Sequence, residues 1–157
     1  MLKSHNRKKT PARIAFGALL KSKRIELGLT QEELAERAQL HYTYVGSVER
    51  GERNIAFENI IALARALKIS PKELMPTGEK IQKPNSQHTI SEKKAFGNLI
   101  KRKRLELGFT QAELAEKALM DYSYIGAIER GEKNIGLENI IALANALELA
   151  PQDLMPD

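Results

Sequence analysis

The chain contains the same unit twice. Phe16–Pro76 aligns without a gap on Phe96–Pro156, an offset of 80 residues; of the 61 paired positions, 23 differ and 38 are identical. Solenoid units run about 20–50 residues, so a repeat this long points to two small domains, each with its own core. A domain of roughly 60 residues buries enough surface to fold, with little to spare. Whatever one copy does, the molecule can do at two places on one tether.

Composition narrows the classes further. There is no cysteine, which excludes disulfides and thiolate metal sites and suits a reducing interior. No apolar run approaches the roughly 18 residues of a membrane span, and the first residues lack the apolar stretch of a secretory signal. The chain therefore reads as soluble and cytoplasmic. Its net charge of +5 is unevenly placed: residues 1–13 hold Lys3, Arg7, Lys8, Lys9 and Arg13 without an acid, residues 14–77 sum to +1, 78–93 to +1 and 94–157 to −2. The surplus lies in a basic N-terminal arm, which serves either as a solubilising tail or as an attractor for a polyanion.

Both copies read as helical throughout. A first helix is expected over Ile14–Leu27, with Phe16, Leu20 and Leu27 on one face and Gly28 as its stop. Thr30-Gln-Glu-Glu is a capping box opening a short second helix. After a break at Gln39-Leu40-His41, a third helix is expected from about Tyr42 to Arg50, with Gly51 as its stop. A fourth follows over Phe57–Leu67, and Ser70-Pro71 starts a short fifth helix, Pro71–Met75. The second copy repeats the signals at Gly108, Thr110, Glu113, Gly131 and Pro151. No stretch alternates with period two for long enough to suggest a strand. The expected organisation is an arm at 1–13, a domain at 14–77, a linker at 78–93 and a second domain at 94–157. The stretch Thr77–Ser91 contains Gly, Pro, Asn, Ser and Gln with few apolar residues; its fifteen residues, if flexible, span about 20 Å on average and about 50 Å at full stretch.

A short helix, a tight break and a second short helix make a helix-turn-helix unit, here Gln31–Arg50 and Gln111–Arg130. Thr30-Gln-Glu-Glu-Leu-Ala-Glu-Arg-Ala and Tyr44-Val-Gly-Ser-Val-Glu-Arg-Gly-Glu-Arg-Asn resemble the Cro and repressor (XRE) type of helix-turn-helix domain. Within that family the likeness is greatest to controller proteins of restriction–modification systems, and it covers nearly all of each copy. The resemblance implies an all-α chain of two tandem, five-helix, lambda-repressor-like domains that bind double-stranded DNA and regulate transcription. In such domains the third helix enters the major groove with its N-terminal residues toward base edges. The base-facing candidates are then Tyr42, Thr43, Gly46, Ser47, Tyr122, Ser123, Gly126 and Ala127. Thr43 and Ser123 bring hydroxyls, while the small residues let the helix approach closely. Tyr42 and Tyr122 stand where related controllers often carry arginine, so the family's target sequence does not transfer.

Phosphate contacts are expected from Gln31 and Gln111 at the start of the second helix, where exposed N–H groups favour an anion. Tyr44, Arg53 and Asn54, with Tyr124, Lys133 and Asn134, add to them; such contacts set register rather than specificity. The resemblance also implies that Glu49 and Glu129 turn inward as structural ion pairs with Arg24 and Arg104. His41 and Asp121 are expected as caps. Ala56 and Gly136 occupy a place where relatives often have a capping serine, so the fourth helix starts weakly unless Asn54 and Asn134 supply the cap.

Two copies on one tether imply a covalent pseudo-dimer reading adjacent half-sites about 34 Å apart, or a homodimer of chains carrying four units. The apolar residues near each copy's end, Ile69, Leu74 and Met75 with Leu149, Leu154 and Met155, are the expected pairing surfaces. The competing reading is a protein-interaction module of antitoxin or anti-repressor type, with one copy competent for DNA; the −2 of the second copy favours it. An enzyme is not expected: there is no glycine-rich phosphate loop, and the three histidines (His5, His41, His88) lie far apart. No cofactor or metal is expected.

Overall fold

The structure is a computed structural model that describes residues 9–76 and 91–157. Lys3, Arg7 and Lys8 of the expected arm, His5, His88 and the centre of the expected linker lie outside those residues. In the first half, helices run over Pro11–Glu26 (α1), Gln31–Ala38 (α2), Tyr42–Glu49 (α3) and Phe57–Leu67 (α4), followed by a 3-10 turn at Pro71–Leu74. The second half repeats them as Glu92–Glu106 (α5), Gln111–Ala118 (α6), Tyr122–Glu129 (α7) and Leu137–Ala146 (α8), with a 3-10 turn at Pro151–Leu154. Among the described residues, only an isolated antiparallel bridge between Ala56 and Gly136 has β character. No described helix is long and apolar enough to cross a membrane.

Local chemistry accounts for the element ends, including two that differ from expectation. α1 starts three residues before Ile14, because Thr10 accepts a hydrogen bond from Arg13 N (3.3 Å) and Pro11 supplies a preset first turn. It ends at Glu26, so Leu27 becomes a C-cap and is half exposed instead of lying on the inner face. Gly28 follows at φ +67°. The expected fifth helix is a single 3-10 turn; Ser70 caps it by accepting from Lys72 N at 3.3 Å, while Glu73 accepts from Ser70 N at 3.2 Å. Four residues are too few to sustain an α-helical ladder.

Each half closes over its own apolar centre. Phe16, Leu20, Leu34, Val45, Ile60, Leu63 and Leu67 are buried in the first; Phe96, Ile100, Leu114, Ile125, Ile140, Leu143 and Leu147 take their places in the second. α1 approaches α3 backbone to backbone. A Cβ on Gly17 would overlap the carbonyl oxygens of Val48 and Glu49, and one on Gly97 those of Ile128 and Glu129. These contacts hold the third helix of each half at a fixed depth.

The two halves meet at the start of α4 and α8. Neither helix has a side-chain cap from its own N-cap residue, Ala56 or Gly136. The other half supplies it. Phe57 N donates to Ile135 O (2.8 Å) and Leu137 N to Ile55 O (2.9 Å). Asn134 Oδ1 accepts from Glu58 N (3.0 Å), and Asn54 Oδ1 accepts from Glu138 N (3.3 Å). The first amides of a helix have no acceptor within it; here they find one across the seam. Arg13 with Glu138 (3.0 Å) and Lys93 with Glu58 (2.9 Å) flank the caps as equivalent pairs. The Phe57 and Phe96 rings pack with centroids 5.0 Å apart. The ends of the two halves meet as well, where Gln152 Nε2 donates to Met75 O (3.4 Å) and Leu74, Met75, Leu154 and Met155 are buried.

Alanine normally gains about 1 kcal/mol over glycine inside a helix. At Gly17 the new methyl meets rigid backbone, and overpacking of that kind costs about 1–3 kcal/mol. Gly17→Ala is therefore expected to lower stability in denaturant unfolding; a gain would contradict the close approach of α1 and α3.

Candidate nucleic-acid interface

In each half a left-handed residue joins the two short helices. Gln39 (φ 56°) and Leu119 (φ 55°) cap α2 and α6 and reverse the chain. Thr30 and Thr110 head these helices in full capping boxes, with Glu33 Oε2 and Glu113 Oε2 each 2.7 Å from the threonine amide. Those amide hydrogen bonds hold both carboxyls below the usual carboxylate range.

The third helices present one exposed turn. Tyr42 (48% exposed) and Tyr122 (59%) project from it, and Thr43 and Ser123 are exposed beside them. The residue before each helix organises the tip. His41 Nδ1 lies 2.7 Å from Thr43 Oγ1 and accepts from Thr43 N at 3.3 Å. Asp121 Oδ1 accepts from Ser123 N (2.8 Å) and from the Ser123 hydroxyl. The hydroxyl, then the amide, push the Asp121 carboxyl below its ordinary range.

Behind each tip sits a buried charged network. Arg24 Nε donates to Glu49 Oε1 (2.6 Å), Arg24 Nη2 to Glu49 Oε2 (3.1 Å), and Gln31 Nε2 to the same Oε2 (2.8 Å). Arg24 Nη1 also ties down Leu29 O (2.7 Å). The bond to Glu49 raises the guanidinium's pKa against the opposing effect of burial. Arg104, Glu129, Gln111 and Phe109 O repeat the arrangement at 2.6, 3.2, 2.9 and 2.7 Å. This fork-to-fork geometry links α1, α2 and α3, and likewise α5, α6 and α7. It accounts for a carboxylate on the inner side of a helix whose outer turn is open.

The remaining candidates are distributed less simply. Gly46, Ser47, Gly126 and Ala127, expected to face bases, are buried. Gln31 and Arg50 close over Gly46, where a Cβ would lie 3.1 Å from each. The Ser47 hydroxyl donates to Tyr44 O (2.7 Å) and accepts from Arg53 Nε (3.3 Å). Tyr44 and Tyr124 pack half-buried against the core, and Tyr44 Oη accepts from Asn59 Nδ2 (3.0 Å). Gln31 and Gln111 keep one side exposed while bonding inward, and Arg53 and Lys133 are exposed. Asn54 and Asn134, expected at phosphates, point their carbonyls across the seam instead. Arg50 and Arg130, absent from the expected set, stand exposed at the C-terminal ends of α3 and α7, each in a fork with Glu52 or Glu132 at 3.0 and 2.8 Å. Their spacing of four from Gly46 and Gly126 was the available signal. Among the described residues no cluster of three or more metal-ligating side chains occurs.

Comparison with known proteins gives a consistent picture. A helix-turn-helix family model matches the chain twice, at residues 20–74 and 100–154. The control protein C.BamHI of Bacillus amyloliquefaciens is 38% identical over 64 residues, covering 40% of this chain and 79% of the relative. The control protein C.SmaI of Serratia marcescens is 53% identical over 47 residues, covering 30% of this chain and 56% of the relative. In the crystal structure of the restriction-modification controller protein C.AhdI from Aeromonas hydrophila, the match has 48% identity and a TM-score of 0.40, covering 40% of this chain and 96% of that one.

Two outcomes follow from this geometry. Glu49→Ala strands the Arg24 guanidinium in a site where its side chain is only 11% exposed, and removing one partner of such a pair costs roughly 3–5 kcal/mol; thermal unfolding without that loss would contradict the network. For Asp121 the folded carboxyl titrates below the unfolded one, so the stability it adds is complete above the ordinary carboxylate range and fades as pH falls through and below it. The Ser123 amide shift in an acid titration should show a midpoint below that of an ordinary aspartate, and the transition should vanish in Asp121→Asn.

Proposed function

The chain belongs to the helix-turn-helix family, and we propose that it regulates transcription by binding duplex DNA with both of its helix-turn-helix units at once. It acts as a covalent pseudo-dimer, reading two adjacent major-groove half-sites from one chain. The observation that carries this reading is the reciprocal capping at the seam: each half caps the fourth helix of the other, which supports a set orientation of α3 relative to α7. Helix-turn-helix dimers meet half-sites one helical turn apart, about 34 Å.

In this reading Tyr42, Thr43, Tyr122 and Ser123 approach base edges. The Ser123 proton is committed to Asp121, so its oxygen offers lone pairs to a donor such as adenine N6 or cytosine N4. Gln31, Arg53, Gln111 and Lys133 take phosphates, joined by Arg50 and Arg130, whose guanidiniums exchange a glutamate for a phosphate oxygen. Tyr44 and Tyr124 hold the tip from behind, with only their hydroxyls in reach of the backbone. The units doing this work are the domains at 14–77 and 94–157.

A second reading keeps one feature in its favour. Asp121 puts a carboxylate on the second tip, in a half whose net charge is −2, as a protein-binding module of antitoxin or anti-repressor type would suit.

Selection from random duplexes followed by footprinting and native mass measurement separates the two. The pseudo-dimer protects one two-fold site of about 20 base pairs with one chain bound, since half-sites lie about 10 base pairs apart. Protection by the first half alone, or two chains on that site, would count against it. Arg50→Ala with Arg130→Ala should flatten the salt dependence of binding by about 0.9 per lost phosphate contact; an unchanged slope would remove both arginines from the interface.

A further inference from the structure

The seam between the halves is not symmetric in charge. Besides the equivalent pairs at Arg13 and Lys93, two ion pairs cross it that the repeat does not duplicate: Arg65 with Glu92, and Lys72 with Asp157. In both, the cation belongs to the first half and the acid to the second. At the 80-residue offset, the counterparts of Arg65 and Lys72 are Asn145 and Gln152; those of Glu92 and Asp157 are Ala12 and Thr77. All four positions therefore differ in charge between the copies. The bodies follow the same sign, with +1 for residues 14–77 and −2 for 94–157.

From this complementarity we infer that the seam is heterotypic: the surface formed by α4, the 3-10 turn at Pro71–Leu74 and their surroundings selects the second unit as its partner in preference to another first unit. The inference rests on the pseudo-dimer reading and adds to it a rule for which unit pairs with which. Pairing first unit with first unit would leave Arg65 and Lys72 without an acid. Pairing second with second would leave Glu92 and Asp157 without a cation. The equivalent features, namely the asparagine caps, the backbone bonds and the Arg13 and Lys93 pairs, would form in any combination and cannot discriminate. The two charge-divergent pairs can, because specificity is a difference between pairings and unmatched charges penalise the wrong one. A consequence is a fixed order: the tip carrying His41 always stands opposite the tip carrying Asp121, so a single chain binds an operator with unlike ends in one orientation.

Hydrogen exchange in the full chain tests the rule directly. The amides of Phe57 and Leu137 open their helices and bond only across the seam, so their protection reports the closed pairing; Leu63, in the core of α4, reports the fold. In the unaltered chain, protection of Phe57 and Leu137 should not depend on chain concentration. Unprotected or concentration-dependent amides there would sink the pseudo-dimer itself. Two variants then examine the rule. Glu92→Ala, Asn145→Arg and Asp157→Thr together take the acids away from Arg65 and Lys72 and add an unmatched cation, while Gln152 keeps its bond to Met75 O; protection at Phe57 and Leu137 should fall about tenfold while Leu63 is unchanged. Exchanging the charges, with Arg65→Glu, Lys72→Asp, Glu92→Arg and Asp157→Lys, should retain the protection. The rule is overturned if the first variant keeps full protection, or if the second loses as much as the first.

Discussion

Neither half of this chain caps the start of its own fourth helix. The first amides of α4 and α8 point out of their domains toward the seam, and each is met by a carbonyl or an asparagine from the opposite half. A buried N–H without a partner costs about 1–3 kcal/mol, so the open ends favour closure of the two halves on each other. The covalent connection makes that closure intramolecular, independent of chain concentration. The closed arrangement of the two halves depends on this exchange of caps.

Within each half a second constraint holds the third helix. α3 is held against α1 by a glycine contact that admits no side chain, and against α2 by the Arg24–Glu49–Gln31 network. Replacing such a pair by apolar residues can be neutral for stability, so its value here is geometric. A bidentate fork has one good arrangement, and Gln31 shares its acceptor while lying at the start of α2. The base of the reading helix is thus fixed while its first turn, with Tyr42 and Thr43, stays open.

Much of this was legible in the sequence. The capping boxes at Thr30 and Thr110, the glycine stops and the apolar spacing of α4 are local signals, and the elements form where those signals lie. The inward turn of Glu49 came from family resemblance, not from spacing. What stayed hidden depends on partners distant in sequence. Asn54 and Asn134 were legible as possible caps of the fourth helix as well as phosphate contacts, but nothing local marks that each caps the helix of the other half, Asn54 reaching Glu138 84 residues away. Gly17 reads as a weak helix former until α3 is laid against it. Ser47 lies on the outer side by helical spacing alone, yet Arg53 folds back over it. Arg50 read as the end of a helix, and only the structure shows its guanidinium exposed and forked with Glu52.

The central claim is that the two reading helices of one chain are held in a single fixed relation before DNA arrives. The absence of cysteine permits spin labels at Glu36→Cys and Glu116→Cys, equivalent exposed positions on α2 and α6. Pulsed dipolar spectroscopy on the free chain should give one narrow distance that survives dilution with unlabelled chain and is unchanged on adding operator duplex. A broad distribution in the free chain, or a narrow distance lost on that dilution, would contradict the account.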